Sequence, residues 1–135
     1  MSISMHPIIK NGLIIACILA INTLFYSDNV YADDISQQQL LTRMESNTAP
    51  LILDVRQPDE YAAGHVPKAL NIPHTDLEKR LSELNGKKDE EIVVYCESGR
   101  RAAIAQGILK QAGFVKILHL DGDMKKWRAQ NLPLE

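Results

Sequence analysis

Residues Glu91–Gly113 read EIVVYCESGRRAAIAQGILKQAG. The apolar run Ile92–Tyr95 does not alternate with polar residues, so it reads as a strand buried on both faces. It stops at Cys96. Glu97, Ser98 and Gly99 follow, then two adjacent arginines, Arg100 and Arg101, and an alanine-rich helical pattern that Gly113 ends. A strand therefore runs through a tight loop into a helix, with a thiol at the seam.

The same alternation continues on both sides. LILDV (51–55) and VKILHL (115–120) read as further buried strands, and ALNIP (69–73) as a short strand stopped by proline. Between them lie helical patterns. Ser36 with Gln39 resembles a capping box, followed by Leu40, Leu41 and Met44. Gln57-Pro58 opens a short helix that Gly64 closes. Thr75 with Glu78 makes a second capping pattern ahead of Leu77, Leu81 and Leu84, and Asn85-Gly86 ends that segment. After Arg100, Ile104, Ile108 and Ala112 form one helical face flanked by Ala105 and Leu109. Asp123 is expected to cap a last helix carrying Met124 and Trp127 as core residues. Strands alternating with helices predict an α/β fold, parallel strands with helices on both faces. In such sheets ligands bind beyond the carboxyl ends of the strands. Asp54 and Cys96 both sit at such ends.

The chain begins differently. Lys10 precedes the apolar run Leu13–Ile21, and Val30 and Ala32 place small residues at the −3 and −1 positions before Asp33. That order reads as a secretory signal peptide, residues 1–32, with cleavage expected after Ala32. The uninterrupted apolar stretch falls short of the roughly 20 residues that span a bilayer, so no membrane anchor is expected after cleavage. A lipidation site at Cys17 is disfavoured because the apolar run continues past it. Residues 33–135 then form one domain. Lys10 and Asp28 cancel, so the net charge of −2 for the whole chain also holds for the mature part. With no basic stripe, no nucleic-acid partner is expected.

Cleavage removes Cys17 and leaves Cys96 without a partner thiol, which excludes a disulfide framework within the mature chain. A thiol just ahead of a helix N-terminus has its thiolate stabilised by unpaired amides and the helix dipole. Gly99 permits a tight loop whose amides converge as an anion-binding nest. Cations at a helix N-terminus cost roughly 0.3–1 kcal/mol each. Two in a row therefore point to an anionic ligand. The residues Cys96 to Arg101 make a nucleophile within a small anion-binding cup, with Asp54 and Arg56 near it. His65 reads as a turn residue. His65 and His74 do not share a compact metal-ligand spacing with Cys96, so no metal is expected.

DVRQPDEYAAGHVPKALNIP, VVYCESGRRA and the later GF-x-x-I-x-x-L-DGD-x-x-x-W resemble the rhodanese (thiosulfate sulfurtransferase) family over nearly all of residues 33–135. A single domain behind a signal peptide is similar to periplasmic single-domain rhodaneses. The resemblance implies a three-layer fold with a five-stranded, mostly parallel sheet. It implies that Cys96 takes sulfur from an anionic donor such as thiosulfate and passes it from a persulfide to cyanide or a thiol. Glu97, Ser98, Gly99, Arg100 and Arg101 would hold the donor and the persulfide, supported by Asp54, Arg56 and His65, without metal or organic cofactor. A monomer suffices for such a cup. Lys68 and Asp123 depart from the family pattern, which commonly has glycine at both places. A persulfide carrier serving a protein partner is one alternative. A rhodanese-like cysteine phosphatase or arsenate reductase is another, disfavoured because its C-x5-R arginine would fall on Ala102.

Overall fold

A computed structural model describes residues 34–135. The signal peptide, its cleavage after Ala32, and Cys17 lie outside the described residues. The elements are β1 (Asp34–Ile35), α1 (Gln37–Glu45), β2 (Leu51–Asp54), α2 (Pro58–Ala62), β3 (Leu70–Asn71), a 3-10 helix (Leu77–Leu84), β4 (Glu91–Tyr95), α3 (Arg100–Gln111), β5 (Lys116–Leu120) and α4 (Asp123–Ala129). The five strands form one sheet in the order β1-β5-β4-β2-β3, and every pairing is parallel. This is the three-layer architecture that the family resemblance implied.

The unbroken apolar run in β4 follows from burial on both faces. Ile92 and Val94 point into one core, with Leu53, Ile72, Leu84, and Ala102, Ala105 and Leu109 of α3. Val93 and Tyr95 point into the other, with Leu40 of α1 and Met124 and Trp127 of α4. Each fully buried large apolar side chain contributes roughly 1.5–3 kcal/mol. By the same alternation Cys96 falls on the α3 side.

The Ser36–Gln39 capping box forms in both directions: the Gln39 amide donates to Ser36 Oγ (3.1 Å) and the Ser36 amide to Gln39 Oε1 (2.9 Å). The Thr75–Glu78 box does not form. The Asp76 amide closes a turn on Pro73 C=O (2.8 Å), and the helix that starts at Leu77 is 3-10. Its leucines still face the core, Leu77 and Leu84 fully and Leu81 partly. Helix α3 is rotated from the expected face. Ala102, Ala105 and Leu109 are buried, while Ile104 is 44 % exposed. The small alanines let the helix lie close on the sheet, which turns Ile104 outward, while Ile108 and Ala112 stay partly buried against the core.

Candidate active site

The carboxyl ends of β2 and β4 lie side by side, with Asp54 opposite Tyr95. The chain then passes through Cys96–Gly99 into α3. Two amides in the first turn of α4 fix this loop from behind: Met124 donates to Cys96 C=O (3.0 Å) and Lys125 to Glu97 C=O (3.1 Å). Gly99 adopts a φ of 112°. In that left-handed conformation its amide turns inward and donates to Cys96 Sγ (3.1 Å).

The thiol is not at an open rim. Cys96 is 1 % exposed and packs in the α3-side core, because strand alternation carries it inward. The expected ring of amides is also narrower, since one amide, that of Gly99, bonds the sulfur. The loop nonetheless depends on Gly99. A Cβ there would stand 3.2 Å from Asp123 Oδ2 and 3.7 Å from the His119 ring. The left-handed region costs a non-glycine residue about 1–2 kcal/mol as well. Gly99→Ala is therefore expected to lose about that much stability and to lose sulfur loading out of proportion to it, read by urea titration beside a loading assay.

The two loop arginines differ. Arg100 is exposed on the first turn of α3. Arg101 forms a bidentate pair with Glu60 of α2, Nη1–Oε2 2.6 Å and Nη2–Oε1 2.9 Å. Hydrogen bonds from Arg101 hold the Glu60 carboxyl down to about 2. Glu60, and more weakly the Cys96 sulfur, push the Arg101 pKa up. Arg101 is thus a cation fixed by Glu60 in the first turn of α3. Glu97 turns away from both loop arginines. It bonds Arg128 of α4 and lies 3.9 Å from Arg56 Nη1.

Asp54 and Arg56 form a buried structural pair. Arg56 Nη2 lies 2.7 Å from Asp54 Oδ2, and its Nε lies 3.1 Å from both carboxylate oxygens. Tyr95 Oη donates to the same Oδ2 (2.7 Å). Burial opposes the charge on Arg56, but Asp54 outweighs it and the pKa is raised. Burial, then the Asp54 charge, pushes the Tyr95 phenol up. Arg56 also donates to Gly64 C=O (2.9 Å). His65 is a turn residue, as expected: its Nδ1 lies 2.8 Å from Tyr61 C=O and its ring stacks on Tyr61 at 3.6 Å. Among the described residues no cluster of side chains could hold a metal. A depression of about 310 Å³ opens beside the loop, lined by Arg56, Glu60, Glu97, Met124 and Arg128 with Ala63, Gly64 and Leu134; Cys96 is not in its lining.

Asp123 does not cap its own helix, a role that falls to Gly122. It takes a φ of 53°, a conformation that favours glycine, which accounts for the family pattern there; Lys68, at 64°, is the parallel case. The Asp123 carboxylate, 1 % exposed as a residue, turns toward the loop instead. Its Oδ1 accepts from the Cys96 amide (2.9 Å) and its Oδ2 lies 2.9 Å from His119 Nε2. The only sequence signal for this role was the departure from glycine. Glu60, Tyr95, His119 and Arg128 carried none.

A family profile described as the rhodanese-like domain matches residues 36–130. The chain is 34% identical over 102 residues to a sulfurtransferase of Allochromatium vinosum (strain ATCC 17899 / DSM 180 / NBRC 103801 / NCIMB 10441 / D), covering 76% of this chain and 94% of that one. It is 36% identical over 94 residues to the putative sulfur carrier protein YrkF of Bacillus subtilis (strain 168), covering 70% of this chain and half of YrkF. A crystal structure of a rhodanese-related protein from Thermoplasma volcanium superposes with a TM-score of 0.66 at 28% identity, over 76% of this chain and 96% of that one. With the parallel sheet, the Cys96–Arg101 loop and these matches together, the chain belongs to the rhodanese-like domain family.

Proposed function

We propose that the chain is a sulfurtransferase acting through a persulfide on Cys96. The observation that carries this reading is the loop itself, a sulfur bonded by the Gly99 amide at the carboxyl end of β4, with Arg101 held by Glu60 in the first turn of the helix that follows. The Cys96 thiolate attacks the outer sulfur of thiosulfate. The S–S bond of the donor breaks and sulfite leaves with the electron pair. Cyanide or a thiolate then attacks the outer sulfur of the persulfide, and Cys96 returns as thiolate. Covalent transfer in two half-reactions requires ping-pong kinetics. Burial of Cys96 keeps water from the persulfide between the two steps. The domain would work as a monomer in the periplasm, exported by residues 1–32.

Loop length argues against phosphate chemistry. The position where a C-x5-R loop needs its arginine is Ala102, which is fully buried on α3. The test is steady-state assay with thiosulfate and cyanide. Parallel double-reciprocal lines are expected, and turnover of an aryl phosphate that rivals this reaction would overturn the proposal. A carrier reading has its own support in the similarity to the putative sulfur carrier YrkF. It predicts a chain that loads sulfur from thiosulfate but returns it slowly to cyanide.

A further inference from the structure

His119 lies on β5 between two carboxylates. Its Nε2 is 2.9 Å from Asp123 Oδ2 and its Nδ1 is 3.4 Å from Asp34 Oδ1. Carboxylates only accept hydrogen bonds, so Nε2 donates its proton to Asp123, and the Asp34 charge facing Nδ1 favours a proton there as well. The same ring packs beside Gly99, the residue whose amide bonds the sulfur. Asp123 completes the link, because its other oxygen takes the Cys96 amide in a fully buried setting. A buried carboxylate is costly unless its charge is matched, and His119 is the cation bonded to it.

We propose that His119 and Asp123 are positioning residues for the sulfur-carrying loop: the protonated imidazole holds the Asp123 carboxylate, and the carboxylate holds the Cys96 amide. This rests on Cys96 being the sulfur-carrying nucleophile. The charged groups facing His119 are Asp34 on β1, Asp123 on α4 and Asp121 in the turn after β5; Asp121 is itself paired with Lys126 (2.7 Å). The hydrogen bond that His119 donates to Asp123, then the charges of Asp123 and Asp34, outweigh burial and raise the His119 pKa. The sign follows. The imidazole is charged below its raised value, and the dyad loosens as pH rises through that value. Sulfur loading then declines on the alkaline side as the loop loses its tether.

The test is proton–nitrogen NMR of the full chain across pH. The His119 ring and the Cys96 amide are expected to titrate together, with a midpoint above that of a free histidine. Asp123→Asn keeps the shape and an acceptor for the Cys96 amide but removes the charge, and should lower the His119 midpoint. Asp123→Gly relieves the positive φ, so it is expected to fold, and it should uncouple the two signals. His119→Gln should lower kcat by about tenfold to a hundredfold, leave KM within about twofold, and flatten the alkaline limb of the rate profile. A Cys96 amide that does not follow His119, or a coupling that survives Asp123→Gly, overturns the proposal. Sulfur loading of the wild type is read separately. A chain that never loads refutes the transfer reaction, while joint titration of His119 and Cys96 would still establish the dyad.

Discussion

Cys96→Ser protein treated with thiosulfate gains no sulfur on the peptide bearing residue 96, whereas the wild type gains one sulfur atom there. The readout is peptide-resolved mass spectrometry, which also separates Cys96 from Cys17. The expectation follows from the chemistry. A serine hydroxyl is close in size to the thiol and can still accept the Gly99 amide, so the fold and the loop should persist. It cannot hold a sulfane sulfur, and it is not ionised near neutral pH. Loss of a covalent nucleophile typically costs three or more powers of ten, so steady-state transfer should fall by at least about a thousandfold. Circular dichroism identical to wild type would show that the loss is chemical. Sulfur retained on the serine variant's loop peptide would remove Cys96 from the reaction.

Asp54→Ala is expected to be the most damaging substitution for stability. The Arg56 side chain is 2 % exposed and Asp54 fully buried, so each is the other's counter-charge away from water. Removing one member of a buried pair leaves an uncompensated charge and costs about 3–5 kcal/mol. Asp54 also accepts from the Tyr95 hydroxyl and the Arg56 amide, and both donors would be orphaned. Set against a typical total of about 5–15 kcal/mol, that loss removes a large part of the stability of the domain. Urea denaturation should show the midpoint shift at nearly constant slope. The double variant Asp54→Ala/Arg56→Met, which removes the stranded charge, should recover part of the loss. A single variant within 1 kcal/mol of wild type, on the order of ordinary surface changes, would refute this account.

Four of the five strands and the reactive loop were legible in the sequence because their signals are local. An apolar run ending in Cys96, a glycine where φ must be positive, and a Ser36–Gln39 cap each lie within a few residues. The partners of the site were not. Glu60 reaches Arg101 across 41 positions and Asp123 reaches the Cys96 amide across 27, joined only once β4, β5 and α2 have packed. Strand β1 has two residues and no periodicity, and exists because it pairs with His119 and Leu120. The inward turn of Cys96 follows from strand alternation, yet a reactive thiol invites the assumption of an open rim. Asp123 looked like a helix cap because aspartate at a helix start usually is one. Its left-handed φ sends the carboxylate elsewhere, and no spacing rule announces that.

Trp127 is the single tryptophan of the chain, fully buried on α4 with its indole donating to Pro133 C=O (2.8 Å). The first turn of the same helix grips the carbonyls of Cys96 and Glu97. The molecule therefore carries its own optical reporter on the element that clamps the reactive loop. Emission colour and quenching, recorded without any attached dye, would register slackening of that clamp while the rest of the sheet stays folded.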